Sequence, residues 1–133
     1  MTVAPLDFGN VGTGTLFEGR HGAIRSYDHH SAVFSWQPPR RLNLARAAID
    51  VEAKHQPSAA EMAAGFGLSV DEFLARWTAT EAVAKVLDVP VLERLKRQGL
   101  TEVAADEWRA DSSGVWMRNI PHQTHWVTAA LIL

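Results

Sequence analysis

The sequence predicts an α+β fold, a single domain over residues 1–133 in which a largely antiparallel sheet packs against a long helix. Three observations predict it. Short β-prone runs crowd residues 13–52 and 101–133, whereas a helical period is confined to the stretch between them. Strands segregated from helices in this way pair antiparallel instead of alternating in βαβ units. Size is the third: 133 residues, 47% of them apolar and 21% charged, suffice for one hydrophobic core and not for two.

Thr13 to Phe17, Ala23 to Tyr27 and Ala32 to Trp36 are short runs set among Gly9, Gly12, Gly14, Gly19 and Gly22, and they read as the strands of a small meander. Pro38 and Pro39 turn the chain before Leu44 to Glu52, a further strand. From Pro57 the period changes. Ser58 to Ala64 is a short Ala-rich helix, and Ser69, with Glu72 three residues later, is the N-cap of a long one that runs to about Leu87. Pro90 fits the first turn of another helix, Val91 to Gln98, which Gly99 closes. Thr101 to Ala105, Gly114 to Asn119 and His125 to Leu133 are the closing strands, the last apolar enough to be buried. Trp36, Trp108, Trp116 and Trp126 fall in these strands or at their edges, where aromatic packing in the core is expected and a subunit interface is the alternative.

Thirteen Lys and Arg against fifteen Asp and Glu leave a net charge of −2, so no global basic field exists to attract nucleic acid or anionic lipid, and neither is expected as a partner. The absence of Cys removes disulfides, thiolate-bound zinc and thiol nucleophiles together. The first residues carry no basic segment followed by an apolar one, and no apolar run approaches the ~20 residues of a membrane span, so a cytoplasmic protein is expected. Gly12-Thr13-Gly14 lacks the Lys-Ser or Lys-Thr of a phosphate loop, and His122 and His125 lack the second pair that a zinc site needs.

Two constellations carry chemistry. On a helical wheel at about 100° per residue, Val70, Phe73, Leu74, Trp77 and Ala84 share one arc, with Glu81 near its centre and Lys85 one turn further on. A carboxylate on a buried face needs compensation, either from an ion pair with Lys85 or from a functional partner. In Ala47-Ala48-Ile49-Asp50-Val51-Glu52, period-two alternation sends Asp50 and Glu52 to the same face, about 6.5–7 Å apart along the strand. That face is either an ordinary solvated one or half of a cation site. Three carboxylates without a His or Cys cluster are the donor set of Mg²⁺, an ion that binds through few protein ligands and shares its shell with substrate phosphates.

Ala48-Ile49-Asp50-Val51-Glu52, followed by Trp77-Thr78-Ala79-Thr80-Glu81-Ala82-Val83-Ala84-Lys85, resembles the two signatures of the 4′-phosphopantetheinyl transferases, Gly-[Ile/Val]-Asp-[Ile/Val]-Glu and Trp-x-x-Lys-Glu-Ala-x-x-Lys. Asp28-His29-His30-Ser31 looks like the Ser-His-Ser stretch that precedes the first signature in longer members, so the likeness covers roughly residues 28–133. The resemblance implies Asp50, Glu52 and Glu81 as Mg²⁺ ligands, Lys85 on the phosphates of coenzyme A, His30 near its nucleotide end, and Glu81 as general base. The implied reaction transfers phosphopantetheine from coenzyme A to a serine of an acyl or peptidyl carrier protein. Arg40, Arg41 and Arg46 are candidates for a nucleotide phosphate or for the acidic helix of a carrier, with a solvated loop as the alternative.

Thr80 stands where the family has Lys, and Asp88-Val89-Pro90 where a Gly-rich turn follows the second Lys. These departures carry an alternative: a non-catalytic relative that binds coenzyme A or a carrier protein as an assembly or regulatory module. A third reading is a structural oligomer in which Glu81 and Lys85 form a buried ion pair. One copy of each signature leaves a wall of the implied cleft to be built, so a homo-oligomer, dimer or trimer, is expected.

Overall fold

The computed structural model describes residues 11–20, 22–28, 30–40, 42–105 and 107–133. Four strands come first, β1 (Thr15–Glu18), β2 (Arg25–Tyr27), β3 (Val33–Gln37) and β4 (Arg46–Ala53). A 3-10 turn over Pro57–Ala59 leads into α1 (Ala60–Gly65), α2 (Val70–Leu87) and α3 (Val91–Gln98), and the chain closes with β5 (Arg109–Ala110), β6 (Trp116–Asn119) and β7 (His125–Ile132). Every pairing among these strands is antiparallel, which makes the fold α+β. The strands form two sheets, ordered β1-β3-β2 and β4-β7-β6-β5. No helix among the described residues is long and apolar enough to cross a membrane.

The register of β4 on β7 sorts the side chains into two layers. Ile49 opposite Ala129 and Val51 opposite Val127 point to the first sheet, where Phe34, Trp36, Trp108, Ile120 and Leu131 complete a core between the sheets. Ala48 opposite Ala130 and Asp50 opposite Thr128 point the other way, toward α2, whose Ala82, Val83 and Val86 pack with Ala130, Val115 and Met117. The face that carries Asp50 is therefore covered by a helix and is not a solvated strand face.

Helix α2 starts as expected, with Ser69 Oγ accepting from Glu72 N at 3.1 Å. It ends on Asp88 in the left-handed region, φ 56°, whose N–H returns to the last turn. The buried surface is wider than the Phe73, Leu74 and Trp77 arc. Those aromatic and aliphatic residues pack with Ala59 and Ala63 of the preceding segment, while Ala75, Ala79, Ala82, Val83 and Val86, about 120–220° round the wheel from Val70, take the opposite side. Glu81 thus flanks the sheet contact and is not at the centre of it.

Four expectations need correction. The first three strands do not form a meander: β3 lies between β1 and β2, and its Phe34 and Trp36, 2% and 3% exposed, are buried against β4 and β7. Thr101 to Ala105 is not a strand; Thr101 N donates to the Thr80 side chain and Ala104 O accepts from Asn119 N, single contacts in place of a ladder. The edge strand β5 has only two residues and no alternation to betray it. Pro90 caps α3 in an extended conformation and stands outside its first turn. We expect Phe34→Ala to cost about 3–5 kcal/mol, since it opens a cavity between the sheets, and a urea midpoint lowered with unchanged slope checks this.

Candidate functional site

Strand β4 and helix α2 bring the two sequence constellations together. Carboxylate oxygens of Asp50, Glu52 and Glu81 all lie within 4.8 Å of one another. Asp50 is 3% exposed, and Glu52 and Glu81 are half-buried. Lys85, one turn after Glu81, places its Nζ 2.8 Å from Asp50 Oδ1, 2.9 Å from Ser26 Oγ and 3.1 Å from the Ile49 carbonyl. An ammonium has three donors, and all three are used inside the protein. Gln56 orients Glu52 by donating from Nε2 to Glu52 Oε2 at 2.9 Å.

Three carboxylates against one ammonium leave two negative charges uncompensated when all are ionised. Burial, then the charges of Asp50 and Glu52, push Glu81 up to about 8. Burial also raises Asp50, to about 6, against the opposing pull of the Lys85 ammonium. Asp50 Oδ2 is buried and meets no donor while all three acids are ionised, an expensive state for a carboxylate oxygen that either a cation or the proton of Glu81, whose carboxyl hydrogen-bonds Asp50, relieves. Hard oxygen donors and excess negative charge could hold a metal ion. Beside the cluster, a cavity of about 370 Å³ is lined by Glu81, Ala84, Lys85, Asp88, Val89 and Val91.

The remaining sequence candidates sit elsewhere. Among the described residues, neither His30 nor Arg40 lines that cavity; both are exposed, Arg40 in the turn after β3 and His30 just after β2. Arg41 lies outside the described residues, and Arg46 is exposed at the start of β4. The His30 backbone N–H donates to Asp28 Oδ1, and Asp28 Oδ2 takes a 2.8 Å hydrogen bond from His125 Nε2. Burial alone would raise Asp28, but the bonds from His125, Ala32 and His30 outweigh it and hold the carboxyl below its usual range. His122 accepts at Nδ1 from Thr124 N and meets Glu18 through Nε2, so His122 fastens β1 to the connection between β6 and β7, and His125 fastens the end of β2 to β7.

The ion pair anticipated between Glu81 and Lys85 is replaced by one between Lys85 and Asp50. Thr80 is fully buried: its hydroxyl donates to Arg76 O at 2.7 Å and accepts from Thr101 N at 2.9 Å. Its bond to Thr101 holds the 101–105 segment against α2. Ser26 and Gln56 were not among the sequence candidates. A small polar residue at the buried position of β2, between exposed Arg25 and Tyr27, is the signal that marks Ser26.

Comparison with models of known protein families, with curated proteins and with solved structures finds no match to this chain. The functional reading therefore rests on the site.

Two outcomes follow from this geometry. Without metal, folded Glu81 and Asp50 retain protons that the unfolded chain has already released, so stability falls as pH rises from the ordinary carboxylate range through about 6 and about 8. Melting scans of the metal-free protein should show a lower Tm at about pH 8.5 than at about pH 5, with millimolar Mg²⁺ or Mn²⁺ restoring it at the higher pH. Thr80→Lys would strand an ammonium in the interior and cut two hydrogen bonds; we expect a loss of about 3–5 kcal/mol in urea unfolding.

Proposed function

We propose that this chain is a Mg²⁺-dependent transferase that moves the phosphopantetheine of coenzyme A onto a serine of an acyl or peptidyl carrier protein. The observation that carries the reading is the convergence of Asp50, Glu52 and Glu81, the three acids of the two signatures, around the buried carboxylate of Asp50. These three residues would hold the cation. When bound, it neutralises charge developing on the pyrophosphate.

Lys85 forms part of the cavity wall and reaches a phosphate oxygen once one of its three internal hydrogen bonds exchanges. Glu81 lines the same cavity; ionised once a cation offsets the charges of Asp50 and Glu52, it is placed to accept a proton as general base. The serine oxygen forms its bond to the phosphorus next to pantetheine as the bond to adenosine 3′,5′-bisphosphate breaks, and the serine proton goes to Glu81. Association into a dimer or trimer belongs to the same proposal, with the exposed Val89 and Leu92 near this cavity as the apolar surface available for it.

A second reading, a non-catalytic binder of coenzyme A or of a carrier protein, is favoured by Asp88, which adds a carboxylate to the wall where a phosphate would lie. Incubation with apo carrier proteins, coenzyme A and Mg²⁺, read as carrier mass, separates the two. We expect a carrier heavier by one phosphopantetheine; binding of coenzyme A without that gain selects the second reading. Glu81→Gln should lower transfer by roughly 100-fold or more. At about pH 8.5 it should leave Tm equal or higher, because one of three crowded acids becomes neutral. Full transfer by this variant would remove Glu81 from the chemistry.

A further inference from the structure

We propose that Ser26, a residue of the first sheet, is a positioning residue for the carboxylate site. It holds the Lys85 ammonium on Asp50 Oδ1 and so leaves Asp50 Oδ2 for the cation; the proposal rests on the metal reading of that site. Ser26 is 3% exposed and its Oγ accepts from Lys85 Nζ at 2.9 Å. β2 belongs to the sheet β1-β3-β2 and has no ladder to β4, so Lys85 is a polar tie between the N-terminal sheet and the acids.

The tie matters because the lysine side chain is 41% exposed and has a flexible four-carbon stem. An ammonium with only Asp50 Oδ1 and the Ile49 carbonyl as partners exchanges readily with water. With Ser26 as the third acceptor its position is over-determined, and its charge stays on one oxygen of Asp50. Residues that orient a metal ligand from behind change metal affinity although they never touch the ion.

The test uses the full chain and the metal alone. Mn²⁺ binding is followed by electron paramagnetic resonance, and Mg²⁺ binding by calorimetry, for Ser26→Ala, Ser26→Thr, Lys85→Met and the Ser26→Ala/Lys85→Met pair. We expect Ser26→Ala to weaken binding roughly 10-fold, Ser26→Thr to keep it, and Ser26→Ala to have no further effect once Lys85 is Met. Equal losses in both backgrounds would overturn the proposal. In the metal-free protein, the ¹H–¹⁵N signal of the Lys85 ammonium should be visible and vanish through water exchange in Ser26→Ala. A signal unchanged by that substitution overturns the tether, whatever the metal data show. A native chain that binds no divalent cation, yet loses the ammonium signal on Ser26→Ala, overturns the cation site and supports the tether.

Discussion

A carboxylate sealed between a strand and a helix has to be compensated, and the way Asp50 is compensated organises the site around it. Its Oδ1 draws the Lys85 ammonium inward, which orients that edge of α2 toward β4. Ile49 O and Ser26 Oγ then fill the other two donors, and the N-terminal sheet is fastened to the same point. Glu81, one turn before Lys85, comes with it and joins Glu52 beside Asp50. The ion pair that neutralises one acid thereby brings Glu81 to the two that strand alternation already places side by side, and the surplus of negative charge is a consequence of the fold and not of local sequence alone.

The strand alternation was readable because it depends only on neighbours: Asp50 and Glu52 had to share a face. Which face is covered depends on α2, and here the wheel misled. It gives weight to Phe73, Leu74 and Trp77, which pack with the α1 segment. The sheet is met by Ala82, Val83 and Val86, with the small Ala82 allowing close approach to Ala130. An alanine carries little hydrophobic signal, so the broadest contact of the helix was the least visible.

Strand order was hidden for a similar reason. Period and turn residues identify β1, β2 and β3 one at a time, but the central place of β3 follows from how deeply Phe34 and Trp36 are buried against the second sheet. Thr101 to Ala105 has the residue types of a strand, yet Thr80 takes its first N–H and Asn119 one of its carbonyls. In the site, the acids and Lys85 were legible from spacing, whereas Ser26 and Gln56 act across 59 and 4 residues through single hydrogen bonds that leave no periodic trace.

The position that departs most plainly from the transferase signature also has a physical explanation. Thr80 is buried on α2, where its hydroxyl serves two backbone partners. Lys85 is then the cation left in the cavity wall, which Glu81 and Asp88 also line. A phosphate entering such a cavity meets two carboxylates and an ammonium whose donors are engaged, so repulsion exceeds attraction at close range. A divalent cation held by Asp50, Glu52 and Glu81 would reverse that balance by offsetting the carboxylates. On the proposed function, the cation is therefore the condition for binding the phosphates as well as for acting on them.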